Sequence, residues 1–288
     1  MTDTPEKKKE RPGLLPWVGD LSRFPWWVLV VLIVGVAAVY AILTARHWQS
    51  AFDFVRIGVK LTIVVSLTSF AIALVLGMLA GLGQLSGRSV PRNLSLLYVQ
   101  VIRGIPIIVQ LYFIAFVIVP QVIHPFLNSL GNSMLTAGIL VDLGSNLATL
   151  HIREIQMLYR AIAGMAIAYG AFEAEVFRAG IESIGRGQME AARSLGMSHL
   201  QAMRHIILPQ AIRVVMPPLG NDFISMLKDS SLVSILAIRE LTHVGQLHRA
   251  RTFRSWEALG TVAFLYLLLT LSLSLFVKTM ERRMAFEK

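Results

Sequence analysis

Long stretches without charged side chains constrain this chain more than any other feature of its sequence. Residues 24–45, 61–87 and 258–277 contain no Asp, Glu, Lys or Arg. Each stretch reaches the roughly 20 residues that an α-helix needs to cross about 30 Å of hydrocarbon. The composition agrees, because only 15% of the residues are charged, whereas soluble domains hold about 25%. We therefore predict an integral membrane protein built from α-helices.

Three less regular segments supply the remaining spans. Residues 104–141 are also uncharged but too long for one helix, so the third span is predicted at 104–122, with a polar exit after it. The fourth and fifth spans, residues 159–177 and 216–238, contain charged side chains and should therefore face protein or a water-filled path. These charged residues are Arg160, Glu173, Glu175, Asp222, Lys228 and Asp229. The predicted fold is an all-α membrane protein with six transmembrane helices.

The basic residues predict how the chain is oriented. With the N-terminus inside, 17 of the 27 Lys and Arg residues fall on the cytoplasmic side and 9 on the opposite side. This bias favours cytoplasmic placement of both termini. The net charge of +10 would suggest nucleic acid for a soluble protein, but these residues lie between apolar stretches rather than on one face, so no nucleic-acid partner is predicted. The first apolar stretch is too long for a signal peptide and is predicted to be a retained anchor.

A cytoplasmic segment, residues 188–209, is predicted between the fourth and fifth spans. Residues 188–195 favour a short helix that stops at Gly196, and Ser198 with Gln201 has the spacing of a capping box for a second helix. Pro209 is expected to end that helix. The residues alone leave two interpretations open, a docking element for a separate subunit or an ordinary connecting loop.

Lys228 and Asp229 are two adjacent charged residues inside the predicted fifth span. Neighbouring residues of a helix point about 100° apart, so the two side chains cannot simply face each other. They could order the helix bundle while Ser230 and Ser231 bond the backbone, or line a path or gate for a polar solute. Both interpretations remain open.

Two further groups of polar residues lie near predicted span ends. Glu175 and Arg178 share a helix face and predict a structural or docking pair near the inner surface. Arg103 marks the inner end of the third span, and Pro106 should free a backbone carbonyl or kink that helix.

Catalytic and cofactor motifs are missing from the sequence. The chain has no cysteine, its seven histidines show no metal spacing, and it has no G-x-x-x-x-G-K-[ST] loop for nucleotide phosphates. We therefore predict a non-catalytic chain without a metal or cofactor of its own, so the energy for transport must come from another polypeptide.

The cytoplasmic segment resembles the EAA motif of ABC-type importer permeases. In that family the motif forms a coupling helix that sits in a cleft of the ATP-hydrolysing subunit. The residues that carry the resemblance are Glu190, Ala191, Ala192, Gly196, Ile206, Leu208 and Pro209.

Three other segments are similar to the polar amino acid permeases of that family. The resemblance covers residues 54–283, although Ala179 stands where the family usually has Gly. The matching residues are Tyr98, Arg103, Gly104, Pro106 and Gln110; Ala174, Glu175, Arg178 and Gly180; and Leu227, Lys228, Asp229, Ser230, Ser231 and Leu232.

The resemblance implies the membrane subunit of a bacterial type I ABC importer for a polar amino acid. The expected regions are a cytoplasmic tail at 1–23, an extra helix at 24–45, a five-helix permease domain at 54–283 with its coupling loop at 185–213, and a cytoplasmic tail at 284–288. Its expected partners are an ATPase dimer that binds ATP and Mg, a second permease subunit (identical or homologous), an extracytoplasmic binding protein and the lipid bilayer of the inner membrane.

Two other functions compete with this interpretation. An ion-gradient-driven transporter or channel would use Glu173, Glu175 and Asp229 as ion or proton sites. A non-transporting membrane scaffold would use Lys228 and Asp229 for assembly alone.

Overall fold

Every regular element in residues 26–284, the part that the computed structural model describes, is a helix. The predicted tail at residues 1–23 lies outside the described residues, and so does all but the first residue of the tail at 284–288. The predicted all-α fold is confirmed. Helix α1 (Trp26–Thr44) belongs to one unit of the chain, which ends at Gln49, and its mean hydropathy of 2.7 qualifies it as a membrane span.

The second unit begins at Ser50 and holds most of α2 and all later helices. Its elements are α2 (Arg46–Val55), α3 (Gly58–Gln84), α4 (Ser89–Gly104), α5 (Ile107–Phe113), a π-helical stretch (Ile114–Ile123), α6 (His124–Ala137), α7 (Val141–Ala148), α8 (Met157–Glu182), α9 (Arg186–Ser194), α10 (His199–Ala202), a second π-helical stretch (Met203–Ile207), α11 (Leu208–Asp229), a 3-10 helix (Ser230–Leu236), α12 (Leu241–Thr252) and α13 (Ser255–Met284).

Helices α3 and α8 form the centre of this unit. They approach closely because Gly77 and Gly81 of α3 lie against the backbone of α8, where a Cβ on Gly81 would stand 2.8 Å from the carbonyl oxygen of Ala174. Small residues of this kind let membrane helices pack backbone to backbone. The buried side chains Met165 and Met226 help to join α8 to α11 in the apolar core.

Four helical segments are long and apolar enough to cross a membrane: Trp26–Thr44, Arg46–Gln84, Ile107–Ala137 and Ser255–Arg282. The predicted fourth and fifth spans correspond to α8 and to α11 with its 3-10 extension. Their charged residues lower their hydropathy, and α8 is largely buried among the other helices. The architecture is therefore consistent with the six predicted spans.

Two predicted helix ends are wrong. The third span was expected to end at residue 122, but the helix continues through the first π-helical stretch to Ala137. Pro209 was expected to end a helix, but it occupies the first turn of α11 directly after the second π-helical stretch. The chain is helical without a break from His199 to Asp229, so Pro209 lies where the π-helical stretch passes into α11. The Gln210 side chain also donates to the carbonyl oxygen of Ile206 at 2.9 Å.

Candidate functional site

The predicted cytoplasmic segment folds as a helix–turn–helix. Helix α9 ends at Ser194, and Gly196 follows in the left-handed conformation with φ of +80°, which suits a residue without a Cβ. The Ser198 hydroxyl accepts a bond from the Gln201 amide at 3.3 Å, and the Gln201 side chain accepts one from the Ser198 amide at 2.8 Å. The capping box is therefore present, and it fixes the start of α10.

The surface of this segment combines motif residues with large apolar side chains. Leu195 is 83% exposed and Leu200 is 77% exposed, one on each side of the turn. The motif residues divide by exposure: Glu190, Ala191, Gly196 and Pro209 are exposed, Ile206 and Leu208 are half-buried, and Ala192 is buried. Two large apolar side chains are therefore exposed around a turn that Gly196 and the capping box fix.

A break at Pro106 separates α4 from α5, and Gln110 holds the two helices together. The Gln110 side-chain amide donates to the carbonyl oxygens of Ile102 and Ile105, both at 2.7 Å. Both acceptors lie close to the break, where Pro106 itself has no amide hydrogen to offer. Gly104 is exposed at the same place. The motif residues Gly104, Pro106 and Gln110 therefore form one structural unit.

The Gln110→Leu substitution is expected to loosen this break. It removes both side-chain bonds. The Ile102 oxygen keeps a 3.4 Å bond from the Ile105 amide, but the Ile105 oxygen loses its donor, at a cost of about 1–3 kcal/mol. We expect a lower thermal unfolding temperature in detergent, followed by intrinsic tryptophan fluorescence. Gln100→Leu makes the same chemical change at an exposed position of α4 and should leave that temperature within error. Equal effects of both variants would contradict the role assigned to Gln110.

The C-terminal half of α4 is attached to α8 by two further motif residues. The Tyr98 hydroxyl donates to the carbonyl oxygen of Ile167 at 2.7 Å. The Arg103 guanidinium lies 5.5 Å from the centre of the Phe172 ring and 3.9 Å from the Glu175 carboxylate. Arg103 therefore faces α8.

Glu175 and Arg178, the predicted pair, lie 2.7 Å apart on α8. Arg178 also reaches Glu182 at 2.7 Å. With Arg103, these groups form a chain of alternating charges in which each carboxylate is neutralised by a neighbour. Because the groups are partly exposed, water screens the ion pairs and each contributes little to stability.

Lys228 and Asp229 point to different surroundings. The Tyr169 hydroxyl donates to the Asp229 carboxylate at 2.8 Å, which joins α8 to the end of α11. Lys228 is exposed, and no ion pair to it is found within residues 26–284. Ser230 is buried and donates to the carbonyl oxygen of Leu227 at 2.7 Å, and Ser231 is half-buried. Asp229 and Ser230 therefore stabilise the junction, while the Lys228 side chain is exposed.

Two buried charged residues have structural roles that the sequence did not predict. Arg160 is 8% exposed and donates to the carbonyl oxygens of Ile155 (3.0 Å), Ala115 (3.0 Å) and Ile152 (2.8 Å). It thereby ties the segment before α8 to the first π-helical stretch. A charged residue in an apolar segment was the available signal, but its acceptors are backbone atoms, and one of them, on Ala115, lies 45 residues away in the sequence.

Glu240 is the second of these residues. It is fully buried and accepts bonds from the amides of Thr242 (2.9 Å) and His243 (2.7 Å) and from the Tyr266 hydroxyl (2.8 Å). Its carboxylate caps the start of α12 and connects it to α13. An acidic residue directly before a helix was the signal that could have predicted the cap.

Glu173 lies at the contact between α3 and α8. It is fully buried, and neither carboxylate oxygen has a hydrogen-bond partner among the described residues. A buried carboxyl group without partners is costly unless it is neutral. Its position beside Gly77 explains why α3 has no side chain there.

The chain matches the family described as "binding-protein-dependent transport system inner membrane component" over residues 73–286. That span contains each of the site segments above. The chain belongs to this family. The resemblance to the permeases of polar amino acid importers, inferred from the motifs, is confirmed.

Relatives of this inner membrane component match it over most of their lengths. The glutamine transport system permease protein GlnP of Escherichia coli is 36% identical over 227 residues, which cover 79% of this chain and 91% of that protein. The L-cystine transport system permease protein TcyB of Bacillus subtilis is 30% identical over 246 residues, or 84% of this chain and 92% of that protein.

A solved structure supports the same assignment. The crystal structure of an amino acid ABC transporter with histidines contains a chain that is 30% identical, with a TM-score of 0.65. The match covers 84% of this chain and 98% of that chain. This inner membrane component therefore shares both sequence and fold with ABC transporter permeases.

Proposed function

We propose that this chain is the permease subunit of a bacterial ATP-driven importer that carries a polar amino acid across the cytoplasmic membrane. The observation that supports this proposal most directly is the helix–turn–helix of α9 and α10. Glu190 and two large leucine side chains are exposed around its fixed turn. The names of its relatives, which include glutamine and cystine permeases, favour a polar amino acid as the solute.

The partners follow from this proposal. An ATPase dimer binds ATP and Mg and receives the α9–α10 turn, while an extracytoplasmic binding protein delivers the solute. Two permease subunits, identical or homologous, enclose the path, and both termini of this chain lie in the cytoplasm in accord with its basic residues. The chain itself carries out no catalysis and binds no nucleotide.

Transport would follow from a two-state movement of these subunits. Closure of the ATPase dimer displaces the α9–α10 turns, and the two permeases rotate between outward and inward access. The loaded binding protein and ATP shift the same equilibrium because each binds one of the two states more tightly. Arg103, Gly104, Pro106 and Gln110 at the break before α5, together with Lys228, Asp229, Ser230 and Ser231, are the residues proposed to form the path or gate.

Affinity purification from the native membrane tests this function. We expect an ATPase subunit to co-purify with the chain, and uptake into proteoliposomes to require ATP inside and the binding protein outside. Uptake that follows an imposed ion gradient without any ATPase would instead support the ion-driven transporter. In that case Glu173→Gln should abolish uptake, whereas the importer should tolerate this change because the two side chains have nearly the same shape.

A further inference from the structure

Cationic and aromatic side chains crowd the turn where α12 meets α13. Phe253 is 91% exposed and Trp256 is 80% exposed. Arg249, Arg251 and Arg254 are exposed beside them. We call these five residues the α12–α13 corner. In the predicted orientation it lies on the outer side of the membrane.

The α12–α13 corner stands on a fixed support. The Glu240 carboxylate holds the start of α12 and accepts a bond from Tyr266 of α13 at 2.8 Å. The Leu241 amide donates to the Thr62 hydroxyl of α3 at 3.0 Å. Helix α12 is thus anchored to two membrane helices, which keeps its far end in place. A surface held in this way loses little entropy when a partner binds.

Phe253 holds an unfavourable backbone conformation. Its φ of +57° and ψ of +17° lie in the left-handed region, which is unfavourable for a residue with a Cβ. The side chain gains almost no burial in return, since it is 91% exposed. Strain of this kind persists mainly at functional sites.

The charges of the corner are only partly satisfied within the chain. Arg254 lies 3.2 Å from Glu257, and Arg251 lies 5.2 Å from the centre of the Phe54 ring. The Arg249 side chain has no hydrogen bond or ion pair within the described part of the chain. Its place in the last turn of α12 suits the helix dipole, but Arg254 lies beyond that helix. Basic residues on the outer side also run against the usual charge bias of membrane proteins.

We propose that the α12–α13 corner docks an acidic face of the extracytoplasmic solute-binding protein. This inference rests on the proposed function. Arginine and large aromatic residues carry much of the binding energy in protein interfaces, and a basic patch steers an acidic partner toward it. Lipid headgroups are the competing occupant, since Trp256 starts a membrane helix. Adding an anionic lipid to the vesicles separates the two occupants.

The rate of ATP hydrolysis by the assembled complex in phosphatidylcholine proteoliposomes measures this docking. The loaded cognate binding protein is titrated on the outside of the vesicles. The Arg249→Glu/Arg251→Glu double variant should raise the half-maximal concentration of binding protein by about tenfold at low salt. The maximal rate should stay unchanged, and added salt should narrow the difference from the unaltered complex. Arg249→Glu alone removes no described contact and should give a smaller shift in the same direction. Phe253→Gly relieves the strain but removes the ring, so it should raise the same concentration.

Arg153→Glu is the matched control, because it reverses an exposed charge on the same side of the membrane in the segment before α8. An equal shift in this control would overturn the docking surface in favour of a general charge effect. An unaltered half-maximal concentration in the double variant and in Phe253→Gly would also overturn it. If these variants instead change only the basal rate when phosphatidylglycerol is added, the corner is a lipid contact. Failure of the proposed function is distinguishable, since the unaltered complex would then show no stimulation.

Discussion

Replacing Arg160 with leucine is expected to destabilise the protein more than any other single change considered. The substitution leaves the carbonyl oxygens of Ile155, Ala115 and Ile152 without their guanidinium donor. One of these bonds is buried and two are partly buried. An acceptor that loses its partner away from water costs about 1–3 kcal/mol, so a total of roughly 3 kcal/mol is expected. Thermal unfolding of the detergent-solubilised protein should therefore occur at a clearly lower temperature, with poor recovery from the membrane.

Two further variants serve as controls for the effect of Arg160→Leu on the unfolding temperature. Arg160→Lys keeps the charge but not the fork of donors, so its unfolding temperature should fall between those of Arg160→Leu and the unaltered protein. Arg153→Leu makes the same chemical change at an exposed position and should have little effect on stability. An unfolding temperature for Arg160→Leu that equals that of Arg153→Leu would show that the three carbonyl bonds contribute nothing.

Reversing the charge of Glu190 is expected to abolish most ATP-driven uptake while leaving the fold intact. Glu190 is exposed on α9, so its replacement by lysine disturbs no core contact. Within a docked ATPase cleft, loss of a charge partner costs about 2–5 kcal/mol, which lowers uptake at least about tenfold. Amino acid uptake into proteoliposomes and the amount of co-purified ATPase measure the effect together.

Gln188→Lys is the control for this experiment, since Gln188 is exposed on the same helix but is not a motif residue. It should retain most of the uptake and of the bound ATPase. If Glu190→Lys transports as well as Gln188→Lys, the docking role of the α9–α10 turn is wrong.

Helices α9 and α10 show which features local sequence patterns can predict. Gly196 and the pair Ser198 and Gln201 predicted a helix stop and a capping box, and the structure contains both. These features depend on residues within four positions of each other. Pro209 misled the prediction because its effect depends on the backbone before it, where a π-helical stretch precedes α11.

The polar residues of the spans show what local sequence patterns do not predict. Their presence in apolar segments predicted that α8 and α11 avoid lipid, and both helices carry buried faces. Their partners were not predictable. Asp229 bonds Tyr169 rather than its sequence neighbour Lys228, and Gln110 reaches back across Pro106 to two carbonyl groups that precede it.

The sequence by itself determined that the chain is a helical membrane protein of the ABC importer permease type. Hydrophobic length and short motifs carry that information because bilayer thickness and helix caps act locally along the chain. Only the tertiary structure decided which carbonyl oxygens Arg160 binds, how Glu240 fixes α12, and which side chains crowd the α12–α13 corner. Those contacts join residues from separate segments of the chain. The spacing of side chains within one helix does not specify which neighbouring segment each side chain will meet.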